Sequence, residues 1–231
     1  MTTLHSPTIA SSPAAHNRRP AATLTRADLA PGRASLLRRG RSRKADLLRV
    51  ETAGGPVVVK DFGGKGLWGR TVGRVQIARE TRAYGWLGGM EGIPRFLGRV
   101  DAHALALAEV EGRQLAFARD LHPHGPAILA RLRALIDRMH ARGLAHLDLR
   151  GRENVMVRPD GELVVVDLAG AIRLRPGGFA HRLLFRWLSR ADESAFLKWK
   201  LLLDPEGLTA GERAFLRRFG RVRSLWVFNR K

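Results

Sequence analysis

The 231-residue sequence contains no cysteine, which excludes a disulfide framework, a zinc site built on thiolates and a thiol nucleophile. Long apolar runs are also missing. The longest candidate, Leu163 to Ile172, carries Asp167 in its middle and falls short of the roughly 18 residues a membrane-spanning helix needs. Aromatic residues make up only 6% and are not interleaved with the basic ones. With no recognised nucleic-acid module besides, sequence-specific nucleic-acid binding is not expected. The first thirty residues are rich in Ser, Pro, Ala and Thr but have no continuous apolar stretch, so nothing there reads as a secretory signal and a cytoplasmic location is expected. Acids are scarce as well: 21 Asp and Glu face 41 Lys and Arg, a formal charge of +20. The hydrophobic share, 45%, is ordinary for a globular chain and suffices for one substantial core or two small lobes.

Only six of the basic residues are lysines, and an Arg- and Ala-heavy composition can follow from the genome alone. The charge is nevertheless clustered. Arg33 to Arg49 holds seven basic residues and one acid, Arg173 to Arg190 five and none, and Arg213 to Lys231 seven and none. Such blocks favour an anionic partner, whether nucleic acid, phospholipid headgroups or a phosphorylated sugar.

Along the chain, residues 1–31 show no helical or strand period and read as a flexible leader. Leu47 to Val50 and Val57 to Phe62 flank Ala53-Gly54-Gly55-Pro56, the pattern of a β-hairpin, and Lys60 falls inside its second strand. After the glycine-rich stretch Gly63 to Gly73, expected to be a mobile linker, Ile77, Tyr84 and Leu87 share one helical face with Glu80. An acid on the apolar side of a helix needs a partner. Phe96 to Val100 and Leu105 to Val110 complete a small antiparallel sheet.

The second half is mainly helical. Ile128, Leu129, Leu132, Leu135, Ile136 and Met139 keep helical spacing, and Gly143 stops that helix before Leu144-Ala145-His146. The loop His146 to Asn154, a strand Val155 to Val157, the turn Pro159-Asp160-Gly161 and a strand ending at Asp167 follow. Phe179 to Ser189, Glu193 to Leu203 and a segment opened by the capping box Thr209-Ala210-Gly211-Glu212 read as three further helices. Arg182 to Leu188 fits either a core helix with a solvated basic face or a helix at a membrane surface, since periodicity does not distinguish the two apolar phases.

Phosphoryl transfer needs a cation on the nucleotide phosphates, acids to hold magnesium and a carboxylate to receive the acceptor hydroxyl's proton. Lys60 on a strand, Glu80 on the next helix, Asp148 and Asn154 in one loop, and Asp167 nineteen residues beyond Asp148 supply these in order. The combination resembles the protein-kinase-like superfamily over roughly Asp46 to Leu174. The resemblance implies an α+β, two-lobed protein-kinase-like fold, with an N-lobe over residues 32–112 and a reduced C-lobe over 113–231. It implies ATP and Mg2+ as cofactors. Lys60 would contact the phosphates and Glu80 would hold it; Asp148 would orient the hydroxyl, and Asn154 and Asp167 would bind Mg2+. Arg150 would neutralise the γ-phosphate, and Glu109-Val110 would form the hinge that meets adenine. His146 reads as a structural anchor of the loop.

Within the superfamily the short chain is most similar to bacterial lipopolysaccharide core kinases acting on heptose or Kdo sugars, and next to Rio-type atypical kinases. The resemblance thus implies a lipopolysaccharide core sugar as acceptor, an anionic sugar or lipid-linked substrate met at the inner face of the cytoplasmic membrane. A Rio-like Ser/Thr protein kinase with a protein substrate is the alternative, and an inactive pseudokinase serving as a docking module is another. Three features depart from the common protein-kinase pattern: Asn154 stands six positions after Asp148 rather than five, Asp167-Leu168-Ala169 replaces Asp-Phe-Gly, and no Gly-x-Gly-x-x-Gly precedes Lys60. Gly64-Lys65-Gly66-Leu67-Trp68-Gly69, with Glu91 downstream, also matches a dinucleotide-binding spacing, which would require repeated parallel βαβ units.

Overall fold

In the computed structural model, residues 24–224 are described; residues 1–23 of the expected leader and 225–231 of the last basic run lie outside them. The N-lobe is built on β1 (Ala34–Arg38), β2 (Asp46–Val50), β3 (Val57–Asp61), α1 (Leu67–Leu87), β4 (Phe96–Arg99) and β5 (Ala104–Ala108). The strands form one sheet in the order β1-β2-β3-β5-β4, antiparallel throughout. The hairpin read from Leu47 to Phe62 is present in the register Leu47 to Lys60. Its turn needs Gly55 at φ 103°, a conformation that glycine adopts without a Cβ penalty.

Four readings of this lobe change. The Arg-rich stretch before Asp46 contains a fifth strand, β1, which lies at the sheet edge with most of its side chains exposed and so carries no alternating pattern. The glycine-rich linker is half helix: α1 starts at Leu67, and Gly69 and Gly73 are buried within it. A Cβ on Gly73 would stand 2.3 Å from the Phe62 ring, so that glycine lets the helix close on the sheet. The end of the leader is docked, since Arg26–Leu29 form a 3-10 turn and Arg26 donates from Nη1 to Asp61 (2.6 Å) and from Nε to Asp101 (2.9 Å). Lastly, the antiparallel pairings exclude the dinucleotide-binding reading of Gly64 to Gly69, which calls for a parallel sheet.

The C-lobe contains β6 (Arg113–Gln114), α2 (Gly125–Ala141), β7 (Leu144–Ala145), β8 (Val155–Val157), β9 (Leu163–Val165), β10 (Ile172–Arg173), α3 (Arg186–Leu203) and α4 (Ala210–Ser224). The β8–β9 hairpin adds β6 at its side, and β10 pairs with β7. Gly143 ends α2 at φ 73° against the carbonyl of Leu174, 2.1 Å from where a Cβ would stand. The capping box holds: Glu212 N–H donates to Thr209 Oγ1 (3.2 Å) and Thr209 N–H to Glu212 Oε2 (2.8 Å). The expected helices 179–189 and 193–203 are one continuous rod, in which a π turn over His181–Phe185 runs directly into α3. Asp192, in the gap between the two expected helices, is buried inside that rod.

A single apolar core joins the lobes: Ile77, Tyr84 and Leu87 of α1 belong to the same buried cluster as Leu132, Leu135, Ile136 and Met139 of α2 and Leu163 and Val165 of β9. Among the described residues no helix is long and apolar enough to cross a membrane.

Candidate active site

The N-lobe brings one cation to the cleft. Strand alternation turns Val57 and Val59 into one small core and places Lys60 on the opposite face, toward α1. There Lys60 Nζ donates to both oxygens of Glu80, at 2.7 and 2.8 Å, and to Asp167 Oδ1 at 2.9 Å. The Glu80 side chain is only 1% exposed, so Lys60 is the partner its position on the apolar face of α1 required. Burial lowers the pKa of Lys60, but the charges of Glu80 and Asp167 raise it by more and hold the ammonium protonated well above the ordinary lysine range. Burial raises Asp167, and the adjacent Lys60 charge outweighs it, so that carboxyl lies below the usual range. Glu80 is pushed upward by burial, against the pull of Lys60.

The C-lobe supplies the second half. Asn154 is buried, and its Nδ2 donates to the Asp148 carbonyl (2.7 Å) and to Asp148 Oδ2 (3.3 Å). The extra residue in the loop is taken up by two successive turns, Gly151 N–H to Asp148 O (3.1 Å) and Asn154 N–H to Gly151 O (3.0 Å). Gly151 makes that fold-back possible, since a Cβ there would meet Asn154 Nδ2 at 2.8 Å. The spacing of six therefore still brings Asn154 to Asp148. Val166 N–H donates to the Asn154 carbonyl (3.0 Å), and a Cβ on Gly170 would touch Cβ of Asp148 at 3.7 Å. Asp148, Asn154 and the turn that begins at Asp167 are thus packed against one another.

Strain is confined to this spot. Leu147 (φ 67°) and Asp167 (φ 66°) are the non-glycine residues with positive φ among the described residues, a conformation that persists only where the surroundings enforce it. For Leu147 the enforcing group is Asp192, buried in α3, whose carboxylate accepts from the N–H of His146 (2.8 Å) and of Leu147 (2.7 Å) and sits 2.9 Å from the His140 ring. Sequence reasoning missed Asp192. The available signal was the one that found Glu80, an acid among buried neighbours on a helix, but Asp192 fell in the gap left between the two expected helices. His146 is an anchor, as expected: it is fully buried, with a ring nitrogen 3.2 Å from the Val166 carbonyl and Nδ1 accepting from Asp148 N–H at 3.3 Å.

Arg150 Nη1 donates to the buried Ser194 of α3 at 2.5 Å, which ties the loop to the C-lobe interior. Glu109 and Val110 lie just past the end of β5, which stops at Ala108, in the segment leading to β6. Glu109 N–H donates to the Pro56 carbonyl (3.0 Å) and its carboxylate accepts from Arg49 Nε (2.8 Å). The turn between β1 and β2 is held by side chains. Gly40 closes it, with its N–H on Asp46 Oδ1 (2.7 Å), Lys65 Nζ holds Asp46 (2.6 Å) and the Gly40 carbonyl (2.9 Å), and Arg38 reaches Glu153 beside Asn154 at 2.6 Å.

Among the described residues no three His, Cys, Asp or Glu side chains converge on a point, so there is no all-protein metal cage. The site does contain hard oxygen donors, the Asp167 carboxylate and the amide oxygen of Asn154, whose Nδ2 is spent on Asp148. That set suits magnesium, which keeps water and phosphate oxygens as its remaining ligands.

No protein-family model and no curated protein sequence matches this chain. Among solved structures it is similar to the Rio2 kinase of Chaetomium thermophilum, determined as an ADP/Mg2+-phosphoaspartate complex, with a TM-score of 0.51 and 15% identity over 83% of this chain and 71% of that one. With an antiparallel-sheet lobe, a helical lobe and the polar groups just described lying between them, the chain has a two-lobed, protein-kinase-like fold.

Proposed function

We propose that this protein is an ATP-dependent phosphotransferase acting on a hydroxyl. The observation that carries the reading is the convergence of Lys60, Glu80 and Asp167 from β3, α1 and the end of the β8–β9 hairpin, next to the Asp148–Asn154 pair. Lys60, held charged, would bind phosphate oxygens. Asn154 and Asp167 would hold Mg2+, whose contribution is to neutralise charge developing on the transferred group. Asp148 would accept the proton of the attacking hydroxyl, and Glu109-Val110 would border the adenine. The Rio2 structure contains ADP and Mg2+, which supports the nucleotide part of this reading for the fold.

For the acceptor, the basic blocks and the arginines of the β1–β2 turn favour an anionic molecule such as a lipopolysaccharide core sugar. The likeness to a Rio2 kinase favours the second reading, a protein acceptor. Purified protein and its Asp148→Asn variant, incubated with γ-labelled ATP, magnesium and a cell-envelope extract, separate the two. Label in lipid that the variant does not produce supports the sugar, and label in protein supports the Rio-like reading. No label above the variant's background in either fraction contradicts an active enzyme and favours a pseudokinase docking module.

A further inference from the structure

The rod that enters α3 has two apolar sides. Phe185 and Leu188 face inward, 8% and 7% exposed, and pack with Ala145 beneath the strained Leu147. On its outer side stand Phe179, Leu183 and Trp187, 83%, 64% and 49% exposed, together with Leu184. Arg175, Arg182, Arg186 and Arg190 surround these apolar groups, all exposed, and no acid occurs between Arg173 and Arg190. Among the described residues none of those four arginines is in an ion pair. Phe179, Leu183 and Leu184, large apolar side chains that remain in water among unpaired arginines, mark an interaction surface rather than a solvated helix face.

We infer that the segment from Arg175 to Arg190 is a docking surface for an anionic lipid bilayer, into which Phe179, Leu183 and Leu184 insert while the arginines meet the headgroups. Charge and chemistry select this occupant. A second copy of the chain would oppose these arginines with their own counterparts in a two-fold contact, and nucleic acid offers no apolar phase for Leu183 and Phe179, whereas a bilayer interface supplies both the negative charge and the apolar boundary. The helix carrying the surface also carries Asp192 and Ser194, the anchors of the catalytic loop. Membrane attachment would therefore bring the site to lipid-linked acceptors, although the surface itself stands independently of the enzymatic reading.

The test uses the full chain and sedimentation with vesicles of equal parts phosphatidylcholine and phosphatidylglycerol, against vesicles of phosphatidylcholine alone. Binding at least about tenfold tighter to the anionic vesicles, weakened by salt, is expected. Phe179→Ser/Leu183→Ser and Arg182→Glu/Arg186→Glu should each reduce it at least about tenfold with thermal melting retained, since Phe185 and Leu188 are untouched. Hydrogen exchange of the unaltered protein, slowed over residues 179–190 by anionic vesicles, gives the same answer without a variant. Equal binding to both vesicle types, binding unchanged in folded variants, protection elsewhere in the chain, or a stable dimer that dissociates in the Phe179→Ser/Leu183→Ser protein would each overturn the inference.

Discussion

At the residue scale, the buried ion cluster is held together by Lys60. Among the described residues it is the single cation bonded to both Glu80 and Asp167, and Glu80 is nearly inaccessible to water. Removing one partner from such an arrangement is far worse than removing the whole, because a buried charge is left unpaired. We predict that Lys60→Met destabilises the fold by about 3–5 kcal/mol in urea unfolding, and that Lys60→Met/Glu80→Leu recovers a large part of the loss; equal stability of the two variants would show that Glu80 is not a charged partner. Asp148 is different in kind, since its backbone carbonyl, not its carboxylate, receives the shorter Asn154 bond. Asp148→Asn should therefore leave nucleotide binding intact while lowering turnover roughly 10²–10⁴-fold, the usual share of a general base. Lys60, Glu80, Asp148, Asn154 and Asp167 were legible in the sequence because each stands at a fixed offset within a strand, helix or loop. The bond from Arg150 to Ser194 was not, because its partners stand forty-four residues apart.

At the element scale, two of the three glycines of α1 make opposite predictions. Gly73 faces Phe62 with no room for a methyl group, whereas Gly85 has nothing within 4 Å of its missing Cβ. Gly73→Ala should destabilise by roughly 1–3 kcal/mol, and Gly85→Ala should stabilise by up to about 1 kcal/mol through helix propensity and reduced chain entropy; thermal melting of both variants reads the sign. Sequence pattern alone took this glycine run for a linker because glycine gives no apolar signal, even where it is a packing device. The docked end of the leader makes a prediction in pH. Burial raises the Asp101 carboxyl, but bonds from Arg26 and from the backbone N–H of His103 outweigh it and leave it below its ordinary value. A depressed carboxyl stabilises above its unfolded value, about 3.9, and that stabilisation is lost as pH falls through the folded value. Urea unfolding between about pH 5 and pH 2.5 should thus decline less steeply for Asp101→Asn than for the unaltered protein, and identical slopes would mean that the Arg26 clasp adds nothing.

At the scale of the molecule, the antiparallel N-lobe, the mainly helical second half and the central hairpin were legible because their hydrophobic periods switch cleanly from two to 3.6. Edge strand β1 and the continuous rod through α3 were not, since β1 has almost no buried face and Asp192 is a charge that only tertiary contacts bury. The core running from α1 to α2 joins the lobes and holds the two halves of the polar site against each other. The central claim is that this site takes magnesium and nucleotide together. The most direct test is calorimetric titration of ATP into the unaltered protein and into Asp167→Ala, with and without Mg2+. The account predicts binding that strengthens with Mg2+ and loses that dependence in Asp167→Ala. Failure of ATP to bind, or binding indifferent both to Mg2+ and to the loss of Asp167, would contradict it.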